Sequence, residues 1–250
     1  MGRFAGKLVV ITGAGRGLGA ALAISLAELE ARLVLCGRNE QALADIASII
    51  VERTGNAPTC IAVDLADVGS VTEASRAILA SNPTVDVLVN NGAMWLEGRK
   101  EPYTADEVAG VVNAAITGTF LFTQALLPGL ERSESPDIVT IGSISGLLNA
   151  SLHTVSVPFY AAKHGQSAIA EGLKQMLVGS PVRSITIHPP YLDDILPTDP
   201  EWEEVAHRAK GGRGTNRDVV EAVIFALTRP RHVTLSMVLD TDNGGQYAAP

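Results

Sequence analysis

Cysteine is scarce in this 250-residue chain, with two residues in all, too few for a disulfide framework. Cys36 and Cys60 fall in neighbouring apolar runs and read as small core residues, which fits a reducing cytoplasm. Basic clusters are missing too: 19 Lys and Arg stand against 27 Asp and Glu, a net charge of −8. That balance argues against nucleic acid and anionic membranes as partners, and any basic site for a phosphate has to be local. No apolar run reaches the roughly 18 residues of a membrane span, and the short N-terminal run ends in a glycine loop without a cleavage pattern, so neither span nor signal peptide is expected. His153, His164, His188, His207 and His232 keep no metal-ligand spacing, so no metal is expected. Charged residues make up only 18%, a low share that points to surface covered by other subunits. What the chain does have is 46% hydrophobic residues, enough to exclude disorder and to fill the core of one large α/β domain over residues 1–250.

Apolar runs of strand length at 7–12, 32–36, 59–63, 85–89, 137–141, 183–188 and 233–239 are rich in Val, Ile and Leu with little polar alternation. That pattern suits strands buried on both faces of a parallel sheet. Helical stretches at 18–30, 40–53, 68–81, 104–130, 161–178 and 216–228 alternate with them. The alternation predicts a doubly wound, Rossmann-like, mostly parallel seven-stranded sheet flanked by helices. Thr215 and Asp218 have the spacing of a capping box for the last helix. The irregular stretch 189–214 carries Pro189, Pro190, Pro197, Pro200 and the run Gly211-Gly212-Arg213-Gly214. It follows the carboxyl end of a strand, where open α/β sheets bind ligands, and reads as a mobile substrate lid around a short helix near 200–209.

The run Thr12-Gly13-Ala14-Gly15-Arg16-Gly17-Leu18-Gly19 closes the first strand and opens the first helix. Glycines there allow a tight turn and a close backbone approach to phosphate, and the helix N-terminus offers free N–H groups. The second strand ends Cys36-Gly37-Arg38-Asn39. A carboxylate at Gly37 would bind a ribose 2′-hydroxyl and favour NAD; Arg38 with Arg16 suits a 2′-phosphate instead, which points to NADP. Arg38 as a plain surface arginine stays the alternative.

The spacing Gly13, Gly17, Gly19 resembles the T-G-x-x-x-G-x-G loop of the short-chain dehydrogenase/reductase family, and the resemblance runs nearly end to end. Asp64-Leu65 resembles the adenine-contacting acid and its neighbour; Asn90-Asn91-Gly92-Ala93 stands where that family usually has Asn-Asn-Ala-Gly. Asn113 lies in the long helix where the family places a catalytic asparagine, Ser143 in a strand-end motif where it places its serine, and Lys163-His164-Gly165 where it places its lysine. Residues 239–245 resemble the usual end of the last strand, and Pro189 falls where Pro-Gly follows the sixth.

The resemblance implies an NADP(H)-dependent oxidoreductase that interconverts a small carbonyl compound and its alcohol. It also implies a homodimer or homotetramer paired through the helices at 104–130 and 161–178. In such a site a tyrosine exchanges a proton with the substrate oxygen, serine holds that oxygen, and lysine lowers the tyrosine pKa; a phenol near pKa 10 needs such a cation to work at neutral pH. Asparagine holds a water of the relay. The implied cofactor contacts are Gly13, Gly15, Arg16, Gly17, Leu18, Gly19, Arg38, Asp64, Leu65, Asn91, Gly92, Lys163 and Pro189. The implied catalytic set is Ser143, Tyr160, Lys163 and Asn113.

Two departures stand out. The family's lysine follows its tyrosine by four residues, whereas Tyr160-Ala161-Ala162-Lys163 has a step of three and the step of four lands on Phe159. Pro190 stands where a glycine N–H could have met the cofactor. On an ideal helix a step of four overshoots one turn by about 40° and a step of three falls short by about 60°, so either residue reaches the lysine's face. The expectation is that Tyr160 takes the acid–base role, with a loop before it absorbing the shift. Left open are Phe159 in that place, Ser145 as the alternative hydroxyl, Asn113 as a helix-bending residue and Lys163 as a solvated one. A protein that binds NADP without turnover is the second functional reading. Trp95, Leu96, Tyr191, Leu192 and Trp202 either line an apolar substrate pocket or cover core.

Overall fold

The computed structural model describes residues 4–152 and 154–245, so His153 lies outside the described residues. From the amino end the chain runs through β1 (Leu8–Thr12), α1 (Gly17–Glu28), β2 (Arg32–Gly37), α2 (Glu40–Thr54), β3 (Thr59–Ala62), α3 (Val68–Ser81) and β4 (Val87–Asn90). A continuous helical run follows: α4 (Ala105–Val112), a π-helical stretch at Asn113–Gly118, and α5 (Thr119–Leu130). Then come β5 (Asp137–Ile141), α6 (Val157–Met176) and β6 (Arg183–His188). A two-residue parallel bridge between β7 (Leu192–Asp193) and β8 (Gly214–Thr215) precedes α7 (Asn216–Leu227) and β9 (Ser236–Val238).

Seven strands form one parallel sheet in the order β3-β2-β1-β4-β5-β6-β9. The expected doubly wound sheet is therefore present. Alternate strand residues face opposite layers. Val9, Ile11, Leu33 and Leu35 pack on α1, α2 and α7, while Leu8, Val10, Val34 and Cys36 pack on α3, α5 and α6. Burial on both faces is why these strands read as unbroken apolar runs. The strand order reverses between β1 and β4, and a cleft opens there at the carboxyl ends.

Four expectations change in detail. Cys60 is exposed, because β3 is the edge strand, while Cys36 is buried; both are free thiols. The helix at 104–130 is not regular: the π stretch interrupts it where Gly118 packs against the backbone of Leu65. The run Ala105–Leu130 is long and apolar enough in composition to cross a membrane, but Phe122, Leu126 and Leu130 are fully buried against the sheet, as in a core helix. Finally, α6 begins four residues earlier than the periodicity indicates (161 minus 157): Ser156 Oγ accepts from Phe159 N at 3.1 Å, and Pro158 suits the first turn.

Candidate functional site

The glycine loop forms the floor of a cleft of about 1080 Å³. Gly13 and Gly17 have φ of 67° and 56°, the left-handed region that a side chain disfavours. A Cβ on Gly19 would overlap Gly13 O, so α1 can start this close to the loop only with glycine there. The loop is fastened from β4. Thr12 Oγ1 accepts from Asn91 N (3.0 Å) and Gly92 N (2.8 Å), and Asn91 Nδ2 donates to Thr12 O at 3.0 Å. A Cβ on Gly92 would come within 2.8 Å of Leu65. The first turn of α1 has neither a side-chain cap nor an acidic residue. Its free N–H groups therefore face the cleft with the positive end of the helix dipole.

Of the expected cofactor contacts, Gly13, Gly15, Arg16, Gly17, Leu18, Gly19, Arg38, Asp64, Leu65, Asn91 and Gly92 all line this cleft. Asp64 Oδ1 accepts from Ala66 N at 2.9 Å, and Arg38 Nη1 lies 3.8 Å from Met94 Sδ. Pro189 and Lys163 do not line it. Pro189 is buried, its carbonyl accepting from Ile144 N at 3.0 Å.

Ser143, Lys163 and His188 come together at the carboxyl ends of β5 and β6. Lys163 is buried; its Nζ donates to Ile141 O (3.3 Å), Gly142 O (3.2 Å) and Gln166 Oε1 (2.8 Å). Burial pulls its pKa down from 10.5 to about 8. It is thus not the solvated lysine that its residue type favours. Ser143 Oγ accepts from Ser145 N at 3.1 Å, and Ser143 O lies 3.2 Å from His188 Nδ1. Desolvation lowers the His188 pKa; the Ser143 hydrogen bond opposes this, and the Lys163 charge adds to it.

Two of the expected catalytic residues stand apart from that group. Tyr160 does not meet Lys163: its hydroxyl donates to Ala150 O at 2.8 Å and its ring lies 4.3 Å from His164. Phe159 is the ring beside the amine, with Lys163 Nζ 5.9 Å from its centroid. The cause is the early start of α6, which holds both residues in regular helix and leaves no loop to absorb the one-residue shift. Asn113 is exposed, and Ala114 lines the cleft instead. The π stretch starting at Asn113 winds the chain less tightly than an α-helix and changes which residue faces inward.

Phe159 belongs to an aromatic row, 4.9 Å from Trp95, which lies 6.0 Å from Tyr191, both edge to face. Trp202 instead packs on the main core under Arg217. The cleft also takes in Ala93 of the Asn-Asn-Gly-Ala run, together with Met94 and Asp194, which sequence reasoning did not single out. For Asp194 the available signal was an acidic pair, Asp193-Asp194, within the irregular stretch after β6.

The profile of the short chain dehydrogenase family matches residues 7–202, and the chain belongs to that family. An uncharacterised oxidoreductase of Staphylococcus aureus is 29% identical over 237 residues, covering 93% of this chain and 95% of its own. One from Staphylococcus saprophyticus is 30% identical over 234 residues with the same coverage. Among solved structures, L-sorbose reductase from Gluconobacter frateurii, complexed with NADPH and L-sorbose, superposes with a TM-score of 0.81 at 19% identity, covering 99% and 98% of the two chains. An alcohol dehydrogenase from Thermococcus sibiricus, complexed with 5-hydroxy-NADP, gives 0.78 at 24% identity and 98% of each chain. These likenesses establish the shared fold.

Proposed function

We propose that this short chain dehydrogenase is an NADP(H)-dependent oxidoreductase that interconverts a small carbonyl compound and its alcohol. The observation that carries the reading is the cleft itself, with an uncapped helix start behind the glycine loop, Arg16 and Arg38 in its lining, and glycine rather than a carboxylate at the last residue of β2. The cradle fits a dinucleotide: glycine at 13, 17 and 19 lets the loop turn tightly against the start of α1, and that helix start carries no side-chain cap. Arg16 and Arg38 receive a 2′-phosphate in this reading, and Asp64 with Leu65 flank the adenine. Bound NADPH supplies the hydride. Ser143 Oγ holds the substrate oxygen, Lys163 holds a positive charge below it, and the Trp95–Phe159–Tyr191 row walls the substrate. The proton donor in this reading is Tyr160, whose hydroxyl has to exchange Ala150 O for the substrate oxygen and whose ring has to swing toward Lys163. The folds shared with an NADPH-bound sorbose reductase and an alcohol dehydrogenase support the reading. It extends to a cytoplasmic homodimer or homotetramer, with residues 1–250 as one domain and 189–214 as its lid.

A second reading is favoured by Phe159, which has no hydroxyl and is the ring beside Lys163. Here the protein binds NADP(H) and has lost its proton relay.

Titration with NADPH and NADH tests the cofactor. NADPH is expected to bind tighter, and Arg38→Asp to move the preference toward NADH; equal or tighter NADH binding overturns the assignment. Turnover of a ketone panel separates the two readings. Under the first, the wild type turns over and Tyr160→Phe loses on the order of 10²-fold or more. Under the second, the wild type is inert and Phe159→Tyr gains turnover.

A further inference from the structure

The strap after β6 carries two adjacent aspartates that are held in opposite senses. Asp193 is latched by arginines, with Arg208 Nη1 at 2.8 Å and Arg213 Nη1 at 3.3 Å. Asp194 points into the cleft. Its Oδ1 accepts from Asn216 Nδ2 at 2.7 Å, and Asn216, buried at the start of α7, also donates to Ile195 O at 3.2 Å. A Cβ built on Gly17, the first residue of α1, would lie 3.4 Å from Asp194 Oδ1 and 3.6 Å from Oδ2. Elsewhere in the chain, Asn39, Asp67, Thr104 and Ser156 cap α2, α3, α4 and α6 from the residue just before each helix. At α1 the preceding residue, Arg16, supplies no cap, and a carboxylate from a distant strap stands beside the first residue of the helix instead.

We propose that Asp194 is an internal anion standing where the diphosphate of a dinucleotide has to sit, so that the strap at 192–196 occupies part of the cleft and binding must displace it. The inference rests on the dinucleotide reading given above. The physical case is competition for one place. The N-terminus of α1 favours a negative charge, and the Asp194 carboxylate supplies it until the ligand brings its own. A carboxylate and a diphosphate at the same helix end repel, so part of the ligand's binding free energy goes into moving the strap.

Asp194→Asn tests this, because the amide keeps the shape and can still accept from Asn216 while losing the charge. The expected result has two opposite signs. The melting temperature of the ligand-free protein falls, since α1 loses its anion. The Kd for NADPH drops about tenfold, equivalent to about 1.4 kcal/mol. Adenosine 2′-monophosphate, which carries the 2′-phosphate and the base but no diphosphate, binds wild type and variant alike. An unchanged or weakened Kd for NADPH overturns the inference, as does equal tightening of the monophosphate. If neither protein binds any nucleotide, the cofactor reading itself fails and this inference with it. That outcome is distinct from an unchanged Kd, which removes the inference alone.

Discussion

The two ends of the parallel sheet treat buried charge in opposite ways. At the amino ends of β5 and β6, Asp137 is gripped by Arg183 through Nε (2.8 Å) and Nη2 (3.0 Å), and by Arg231 Nη1 at 2.6 Å. The remaining Arg183 nitrogen sites meet the carbonyls of Leu227, Arg229 and Val233, tying β5 to the connection before β9. Nearby, Asp86 accepts from Leu8 N (2.8 Å) and from Ser133 Oγ (2.6 Å). At the carboxyl ends Lys163 is equally buried, yet its acceptors are two backbone carbonyls and an amide, all of them neutral. A buried cation without a counter-charge is costly. One end is therefore closed by ion pairs, and the other holds a buried cation whose partners are all neutral.

The largest effect expected from this contrast is at the ion-paired end. Asp137→Ala leaves the Arg183 guanidinium buried without its carboxylate and lowers stability by about 3–5 kcal/mol. Denaturant unfolding measures this, and NADPH affinity of the folded variant should stay as in the wild type. A loss below about 1 kcal/mol, the range of exposed ion pairs, would break the comparison.

The next effect belongs to Lys163 and has a definite sign in pH. Its folded pKa, about 8, lies below the 10.5 of the free side chain. Below pH 8 the fold carries the full cost of a buried ammonium. Between about 8 and 10.5 the unfolded chain holds more protons than the folded one, so stability contributed by this group rises with pH. The rise is at most on the order of 3 kcal/mol for such a shift. Unfolding free energies of the wild type and Lys163→Met, measured from pH 7 to 10.5, should converge as pH rises. A constant difference would mean that the amine is as well compensated as Asp137.

The sheet and the glycine loop were legible in the sequence because both are written in residue type. Fully buried strands demand unbroken Val, Ile and Leu, and the glycines at 13, 17 and 19 answer to space that the backbone requires. The glycine-lined half of the cleft followed from the same steric logic. The other half did not, because it depends on helical phase. One residue of register decides whether Phe159 or Tyr160 meets Lys163, and that register is set by where α6 starts, a matter of Ser156 capping the helix. Asn113 is exposed while Ala114 lines the cleft for a like reason: the π stretch leaves little trace in composition but changes which residue faces the cleft. Asp194 depends on a strap whose path is fixed by long-range contacts, Arg208 to Asp193 and Asn216 to Asp194.

The smallest effect probes where the ion-paired end gives way to the other. Thr140 and Thr186 are register partners on β5 and β6, and Thr140 lies one residue before Ile141, whose carbonyl receives Lys163. Both side chains are buried, and neither Oγ1 has a hydrogen-bond partner among the described residues. A buried hydroxyl without a partner costs the desolvation it underwent in folding, and removing it while keeping the branched shape recovers that cost. Thr186→Val and Thr140→Val should each stabilise the protein by on the order of 1 kcal/mol, read from denaturant midpoints. Valine also keeps the β-branched shape that suits a central strand. Dinucleotide affinity should not move, since neither residue lines the cleft. If the valines destabilise by a similar amount, the hydroxyls are engaged in the folded protein. The change from satisfied to unsatisfied polar groups would then begin only at Lys163, and the sheet would be satisfied along nearly its whole length.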